Sequence, residues 1–490
     1  MPESGRLTGT VLIYGLSEAI SRGISFAMFP VLTHLFTSTD FGRISMLASL
    51  GALAGLIANS GLANAAHRYY LDVQATEGSR KIIVSAGFIL MLLLSLIVVL
   101  ASASFLFALM GRVVEQDVVE LALVVLITVI PAQLLQYSQD VIRLHSTPWK
   151  YFFLSVAKSV LGLIFGIVLV IGLKLGAWGY FLGLFFGQLV LLPWGMVLIR
   201  NELSVRLERE VALQMLKYGY PFIFAGLGQW VISSADLFIL GQLRGSSEVG
   251  IYSAALRVTM IIMFVTTAFS LAWAPSALRL HAEHPEYRRV VGDMLPRIGG
   301  ILIYVAAAVS IFGKELISWL TPPEYHSAVM PLCFLSMAAA ISGTVQVTVL
   351  GLAFERRSDL IAKAVWFCAI IGIGVSYLLT WQFGLMGTAV ANLITTFMLT
   401  SSYMYLTQQI HPLIINHVLL GRMLVLGALV LTSAVLWTSV EAGVSSFLAK
   451  LASLLVVLVV GHRIGFQLPY SGFRNGYAAM RESFGKKDMR

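Results

Sequence analysis

Fourteen runs of about 20 or more mostly apolar residues follow one another along this chain, and a run of that length crosses the hydrocarbon layer of a bilayer as an α-helix. They extend over 9–35, 42–66, 82–111, 118–142, 150–173, 176–199, 217–242, 249–276, 295–320, 327–352, 360–382, 384–408, 417–439 and 444–463. Barrel strands are excluded, because they alternate over roughly ten residues and these runs are longer and continuously apolar. Helices remain, since lipid offers backbone groups no partner and each segment must satisfy its own. Composition agrees: 58% of the 490 residues are hydrophobic and 12% charged, against about 25% charged in a soluble domain. A water-soluble domain and a disordered chain are both excluded. The expected fold class is an all-α polytopic membrane protein with about 14 transmembrane helices.

The basic residues set the expected orientation. Of 33 Lys and Arg, 24 fall in the N-terminal segment, the even-numbered connections and the tail. Six fall in odd-numbered connections (Arg43, Arg112, Lys174, Arg244, Lys314 and Lys450), and three within spans, Arg22, Lys158 and Arg257. Connections rich in Lys and Arg stay cytoplasmic, so both termini are expected in the cytoplasm. The same distribution accounts for the net charge of +9 without nucleic acid as a partner. The first run is not read as a cleaved signal peptide, since it exceeds the usual 7–15 apolar residues and carries Glu18 and Arg22 at its middle. Cys333 and Cys368 lie in apolar runs and read as small buried hydrophobes. No His/Cys cluster has metal spacing, so neither a metal nor another cofactor is expected.

Two turn landmarks recur at one offset. Thr39-Asp40-Phe41-Gly42, with Ser45 following, is matched by Ser247-Glu248-Val249-Gly250 and Ser253. Gly176-Ala177-Trp178-Gly179 is matched by Gly384-Leu385-Met386-Gly387. Both pairs stand 208 residues apart. The expected organisation is a six-helix lobe over 1–208, a second over 209–410, two further transmembrane helices in 411–463 and a basic cytoplasmic tail over 464–490. An even number of helices per lobe makes the repeat parallel in the membrane rather than inverted.

Ionisable side chains within a span are costly and usually face a cavity or a partner. In span one, Glu18, Ser21, Arg22 and Ser25 share one helical face, and Tyr14 extends it a turn toward the cytoplasm. Either Glu18 and Arg22 only neutralise each other at i, i+4, or the face is the wall of a water-filled cavity; the serines continuing the stripe favour the cavity. In span seven, Gln229, Ser233 and Asp236 stand at i, i+4 and i+7, and the offset places Gln229 on Ser21 and Ser233 on Ser25. Arg257 of span eight lies a turn from Ser253, with Ser49 as its counterpart in span two; Asp236 either neutralises it or serves the cavity. Span four carries Gln133, Gln136, Tyr137 and Asp140 on one face with Arg143 a turn on, where a merely polar helix end is the plain alternative. Lys158 of span five either snorkels or faces the cavity. Asn392, Thr395 and Thr396 read as interhelical hydrogen bonds, and the pairs Gly162/Gly166 and Gly183/Gly187 as sites of close packing. His411 and His417 flank Pro412 in a connection. The candidate substrate-cavity set is therefore Glu18, Ser21, Arg22, Ser25, Arg143, Lys158, Gln229, Ser233, Asp236 and Arg257. Four cations face three carboxylates, a bias that suits an anionic headgroup where screening is weak.

The chain holds no G-x-x-x-x-G-K-[ST], H-E-x-x-H or G-x-S-x-G, and its outer acidic residues Glu115, Asp117 and Glu120 share one very short connection. An enzyme is not expected.

Gly9-Thr10, Tyr14-Gly15, Pro30-Val31-Leu32-Thr33-His34-Leu35-Phe36, Asp40-Phe41-Gly42, Gly61-Leu62-Ala63-Asn64-Ala65 and Arg68-Tyr69-Tyr70 together resemble the opening of polysaccharide exporters of the O-antigen flippase type. That family belongs to the multidrug, oligosaccharidyl-lipid and polysaccharide exporter superfamily, with lipid II flippases and multidrug and toxin extruders. It commonly has arginine where His34 stands. The resemblance is strongest over the first 70 residues, and the twelve-plus-two span count extends it. It implies a flippase that moves an undecaprenyl-pyrophosphate-linked oligosaccharide, a polysaccharide or O-antigen repeat unit, from inner to outer leaflet by alternating access around a cationic cavity. It also implies membrane lipids, a polysaccharide polymerase and chain-length machinery as partners, and H+ or Na+ as a coupling ion. Unaided crossing is unfavourable because every unsatisfied polar group in hydrocarbon costs several kcal/mol (~4–8 by water-to-cyclohexane transfer). On this reading Arg22 and Arg257 contact phosphate or an anionic sugar, and Ser21, Ser25, Gln229 and Ser233 bond sugar hydroxyls. Lys158 and Arg143 draw in the headgroup on the inner side. The alternative is an ion-coupled extruder of cationic drugs on the same fold; it calls for unpaired acidic groups in the cavity, and Glu18 has Arg22 a turn away.

Overall fold

The computed structural model describes residues 2–71, 77–109, 116–204, 208–440 and 443–463, and among these it contains helices and turns but no strand. The elements are α1 (Pro2–Leu35), α2 (Ser38–Asn59), α3 (Leu62–Tyr70), α4 (Glu77–Leu109), α5 (Gln116–Leu144), α6 (Pro148–Ile167), α7 (Gly176–Ile199), α8 (Arg209–Arg244) and α9 (Ser246–Glu283). They continue with α10 (Tyr287–Ile311), α11 (Gly313–Leu320), α12 (Val329–Gly343), α13 (Val345–Thr348), α14 (Leu350–Phe354), α15 (Ser358–Ile410), α16 (His417–Thr438) and α17 (Val444–Arg463). Every one of the fourteen runs is helical, as expected for segments that must satisfy their own backbone in lipid. The basic tail after Arg463 lies outside the described residues.

Several runs depart from one helix per run, among them span nine, which is divided between α10 and α11 at Phe312. Span two breaks at Ser60 (φ 45°) and Gly61 (φ 68°), where the chain presses on Gly219 so closely that a Cβ at Gly61 would lie 2.5 Å from the Gly219 carbonyl oxygen. Spans eleven and twelve join within α15 at Gly384, whose φ of 56° and ψ of −136° belong to glycine alone. Span ten is assembled from α12, α13 and α14 rather than one continuous helix. Lys450, counted above in a connection, lies inside α17.

The chain packs as two compact units. One comprises Met1–Arg257, Ser318–Ala328 and Ala362–Thr395; the other comprises Val258–Ile317, Val329–Ile361 and Thr396–Arg490. In the first, α5 packs on α4 and α7, and α6 lies between α1 and α7. The two glycine pairs mesh: a Cβ at Gly187 would lie 2.7 Å from the Gly162 nitrogen, and one at Gly183 would overlap Gly166. Small residues here let two helices approach closely, a common basis of helix association in a membrane. Buried Tyr137 donates to the Val84 carbonyl at 3.1 Å. In the second unit, α10 is the central helix, packed on α12, α16 and α17. Its buried polar lock is Lys450, fully enclosed, donating to Glu315 at 2.7 and 2.9 Å. Cys333 and Cys368 are both buried, and neither is in a disulfide.

The landmarks found at offset 208 share backbone geometry. Gly176 and Gly384 both take positive φ, 54° and 56°. A Cβ at Gly42 would overlap the carbonyl oxygen of Ser246, and one at Gly250 would overlap that of Ser38. Ser246 is itself 208 residues beyond Ser38, so the N-terminal turns of α2 and α9 touch reciprocally.

Candidate functional site

Polar side chains of α1, α5 and α6 converge in the first unit. On α1 the Arg22 Nε lies 3.4 Å from Glu18 Oε2, with the two side chains 43% and 44% exposed, so the pair is open to an incoming group rather than sealed. Arg143 of α5 lies 3.7 Å from Asp140 Oδ1 and donates to the Tyr151 hydroxyl at 3.1 Å. Tyr151 in turn donates to Glu18 at 3.5 Å, which joins the two ion pairs. Tyr14 sets its edge against the Tyr151 ring, centroids 5.1 Å apart, as aromatic quadrupoles prefer. Half-buried Lys158 of α6 interacts electrostatically with both Asp140 and Glu18. Ser21 is tied to Ser155 of α6, hydroxyls 3.1 Å apart, and Ser25 donates to the Ser21 carbonyl at 3.1 Å. Three cations, Arg22, Arg143 and Lys158, thus surround two carboxylates in one cluster.

The remaining sequence-predicted residues lie elsewhere. Gln229 and Ser233 are exposed on α8, and Ser233 donates to the Trp230 carbonyl at 3.1 Å. Asp236, expected on their face, is instead buried. It accepts from the Tyr252 hydroxyl, from Asn392 Nδ2 at 3.0 Å and from its neighbour's amide, Leu237 N, at 2.9 Å. Its donors are thus Tyr252, Asn392 and Leu237, and Arg257 is not among them. Helix periodicity placed it on the right side of α8, but α9 and α15 close over that end. Asp236 and Asn392 border a cavity of about 10 Å³ together with Ser376 and Thr395, room for a single water-sized occupant. Arg257 is half-buried on α9, a turn from Ser253, whose buried hydroxyl lacks a hydrogen-bond partner among the described residues. His34 is exposed and turns back to the Pro30 carbonyl at 2.8 Å.

Reading the residues alone did not find Tyr151, Ser155 or Tyr252 as members of these networks. Tyr151 follows the turn at Pro148 and so has no periodic relation to Arg143. Tyr252 meets Asp236 only because α8 and α9 fold back on each other.

A second polar assembly joins the starts of α2 and α9. The Ser38 and Ser247 hydroxyls are 2.8 Å apart, and the Ser38 amide donates to Glu324 Oε1 at 3.0 Å. Tyr325 donates to the Phe36 carbonyl at 3.0 Å.

The polytopic helical fold that holds this cationic polar cluster inside its spans is known from solved structures. Two solved structures share it: the lipid II flippase MurJ in an inward closed conformation, with a TM-score of 0.74 at 12% identity over 95% of this chain and 99% of that one, and a Vibrio cholerae MATE transporter, with a TM-score of 0.58 at 15% identity over 84% and 98%. The family profile described as "Polysaccharide biosynthesis protein" matches residues 7–281, and the chain belongs to that family. Among curated proteins it is similar to the EPS I polysaccharide export inner membrane protein EpsE of Ralstonia solanacearum, 25% identical over 68% of this chain and 77% of the relative. It is also similar to the probable low-salt glycan biosynthesis flippase Agl15 of Haloferax volcanii, 22% identical over 42% and 44%.

Proposed function

We propose that this protein is a flippase of the cytoplasmic membrane that moves an undecaprenyl-pyrophosphate-linked oligosaccharide from the inner to the outer leaflet by alternating access. The observation that carries the reading is the cluster of Arg22, Arg143 and Lys158 around Glu18 and Asp140, with the Arg22, Glu18 and Arg143 side chains close to half exposed. Excess positive charge in a poorly screened setting favours a pyrophosphate or an acidic sugar, and the serines of the same face offer hydroxyl partners to a glycan. The prenyl tail stays in lipid, so only the polar head needs the wet path. Export and flippase relatives support the substrate class. The Lys/Arg bias supports both termini in the cytoplasm, which places the α2–α9 contact on the outer side. That contact is then the closed outer end of an inward-oriented state, and the reciprocal glycines support two repeated halves, 1–208 and 209–410, that part there. Coupling to H+ or Na+ would act through buried Asp236 and its small cavity.

The test measures surface glycan and membrane insertion together. Arg22→Ala and Arg257→Ala are each expected to lower display roughly 10-fold or more while the protein stays inserted. Normal display in both variants would overturn the cationic path. An extruder of cationic drugs on this fold remains the second reading, favoured by the MATE-like fold and the buried carboxylate of Asp236. Loss of drug tolerance with intact glycan in a deletion strain would decide for it.

A further inference from the structure

Each compact unit contains a histidine–carboxylate–tyrosine network at the helix ends where Lys and Arg collect. In the first unit, His145 after α5 places Nε2 3.2 Å from Glu202 Oε2 beyond α7 and 3.1 Å from the hydroxyl of Tyr70 at the end of α3. Arg80 of α4 lies over the Tyr70 ring at 5.3 Å. In the second unit, His411 after α15 engages both ring nitrogens. Nδ1 lies 2.8 Å from Glu355 Oε1 beyond α14, and Nε2 lies 2.8 Å from the Tyr287 hydroxyl of α10. An ionised carboxylate only accepts, so Nδ1 carries a proton toward Glu355, and Nε2 shares a hydrogen bond with the Tyr287 hydroxyl. Arg288 lies over the Tyr287 ring at 6.0 Å and donates to its hydroxyl at 3.3 Å.

The two networks correspond with their charges exchanged. Arg288 stands 208 residues after Arg80. His145 shifted by the same offset falls two residues before Glu355, and Glu202 falls one residue before His411. The fourth helix of one half therefore supplies the imidazole and the sixth the carboxylate; in the other half the roles are reversed. A hydrogen-bonded imidazole and carboxylate make the same bond from either side, so the join between these helix ends is retained although neither residue type is. The second network is also packed: His411 is 3% exposed, and the His281 ring stacks on Phe354 at 4.2 Å. Charge-assisted bonds of this kind are short and strong relative to neutral ones.

We propose that these networks are permanent clasps, which stay closed throughout transport and make the helices of each half move as one body while the α2–α9 contact opens. The proposal rests on the alternating-access reading above, and the experiment separates the two. In a variant with Cys333 and Cys368 replaced by alanine, His411→Cys with Glu355→Cys cuts the second clasp. Ser38→Cys with Ser247→Cys arms the outer contact. A short bis-thiosulfonate linker then reties either pair, with surface glycan and membrane insertion as readouts. Cutting the clasp is expected to lower display at least several-fold with insertion intact, and the linker is expected to restore it. The outer pair is expected to behave oppositely: active before linking, silent after it. If the linked clasp stops transport, or the cut clasp transports normally, the clasp proposal is overturned. If linking Ser38→Cys to Ser247→Cys leaves display unchanged, alternating access at that contact is overturned instead. Should the double-cysteine variant fail to insert, Tyr287→Phe removes the hydroxyl's hydrogen bonds to His411 and Arg288 and keeps the ring; it is expected to lower display by a smaller factor, and unchanged display overturns the clasp.

Discussion

Arg22 and Asp236 both sit within spans, yet their surroundings assign them opposite work. Arg22 shares its carboxylate partner Glu18 with Tyr151 and keeps nearly half its side chain exposed, so an anion can displace or join the pair. Replacing a charge-assisted bond costs about 1.5–3 kcal/mol, and Arg22→Ala should therefore slow flipping roughly 10- to 100-fold. Arg22→Lys keeps the charge and loses the planar fork; initial rates in proteoliposomes should fall less than for alanine, and an equal loss would show that geometry rather than charge is required. Asp236 is enclosed, and Asp236→Ala would strand the Tyr252 hydroxyl and the Asn392 amide. Each buried orphan costs about 1–3 kcal/mol, so the variant should melt at lower temperature in detergent than Asp236→Asn, which retains an acceptor oxygen. Equal melting of the two would mean that the carboxylate site holds nothing together.

Among the elements, glycines decide where helices meet and bend. The turn glycines at 42, 250, 176 and 384 were legible as a repeat because their spacing is one number. Their purpose was not, since a sequence does not say which backbone a missing Cβ makes room for. Gly42→Val would overlap the Ser246 carbonyl and should hold the α2–α9 contact open. An impermeant maleimide applied outside should then label a cysteine at Ser38 faster than in the parent. Unchanged labelling would show that the contact absorbs the side chain without parting. Gly384→Ala forces an L-residue into a glycine-only conformation at a cost of about 1–3 kcal/mol. It should lower thermal stability by that amount, whereas Gly374→Ala, which meets nothing within 4 Å in the same helix, should not. The break of span two at Ser60–Gly61 was not legible, because its cause is Gly219, more than 150 residues away.

For the whole molecule, the fourteen apolar runs predict an even number of crossings and so both termini on one side. Reporter fusions at either end should be active only in the cytoplasm, and a reporter that works outside at one end would mean a miscounted span. The helical state of the spans was determined by sequence alone, because a bilayer admits few alternatives: an apolar run of sufficient length must close its own hydrogen bonds. The polar stripe on α1 was likewise determined, since helical periodicity is local. Which stripes meet was decided only in three dimensions. Glu18 joins Arg143 through Tyr151, Asp236 turns away from Gln229 and Ser233 into a sealed site, and histidines meet carboxylates at the ends of distant helices. Periodicity chooses a face, but the partner on that face depends on helix crossings set by close backbone contacts, and those contacts join residues that no sequence spacing relates.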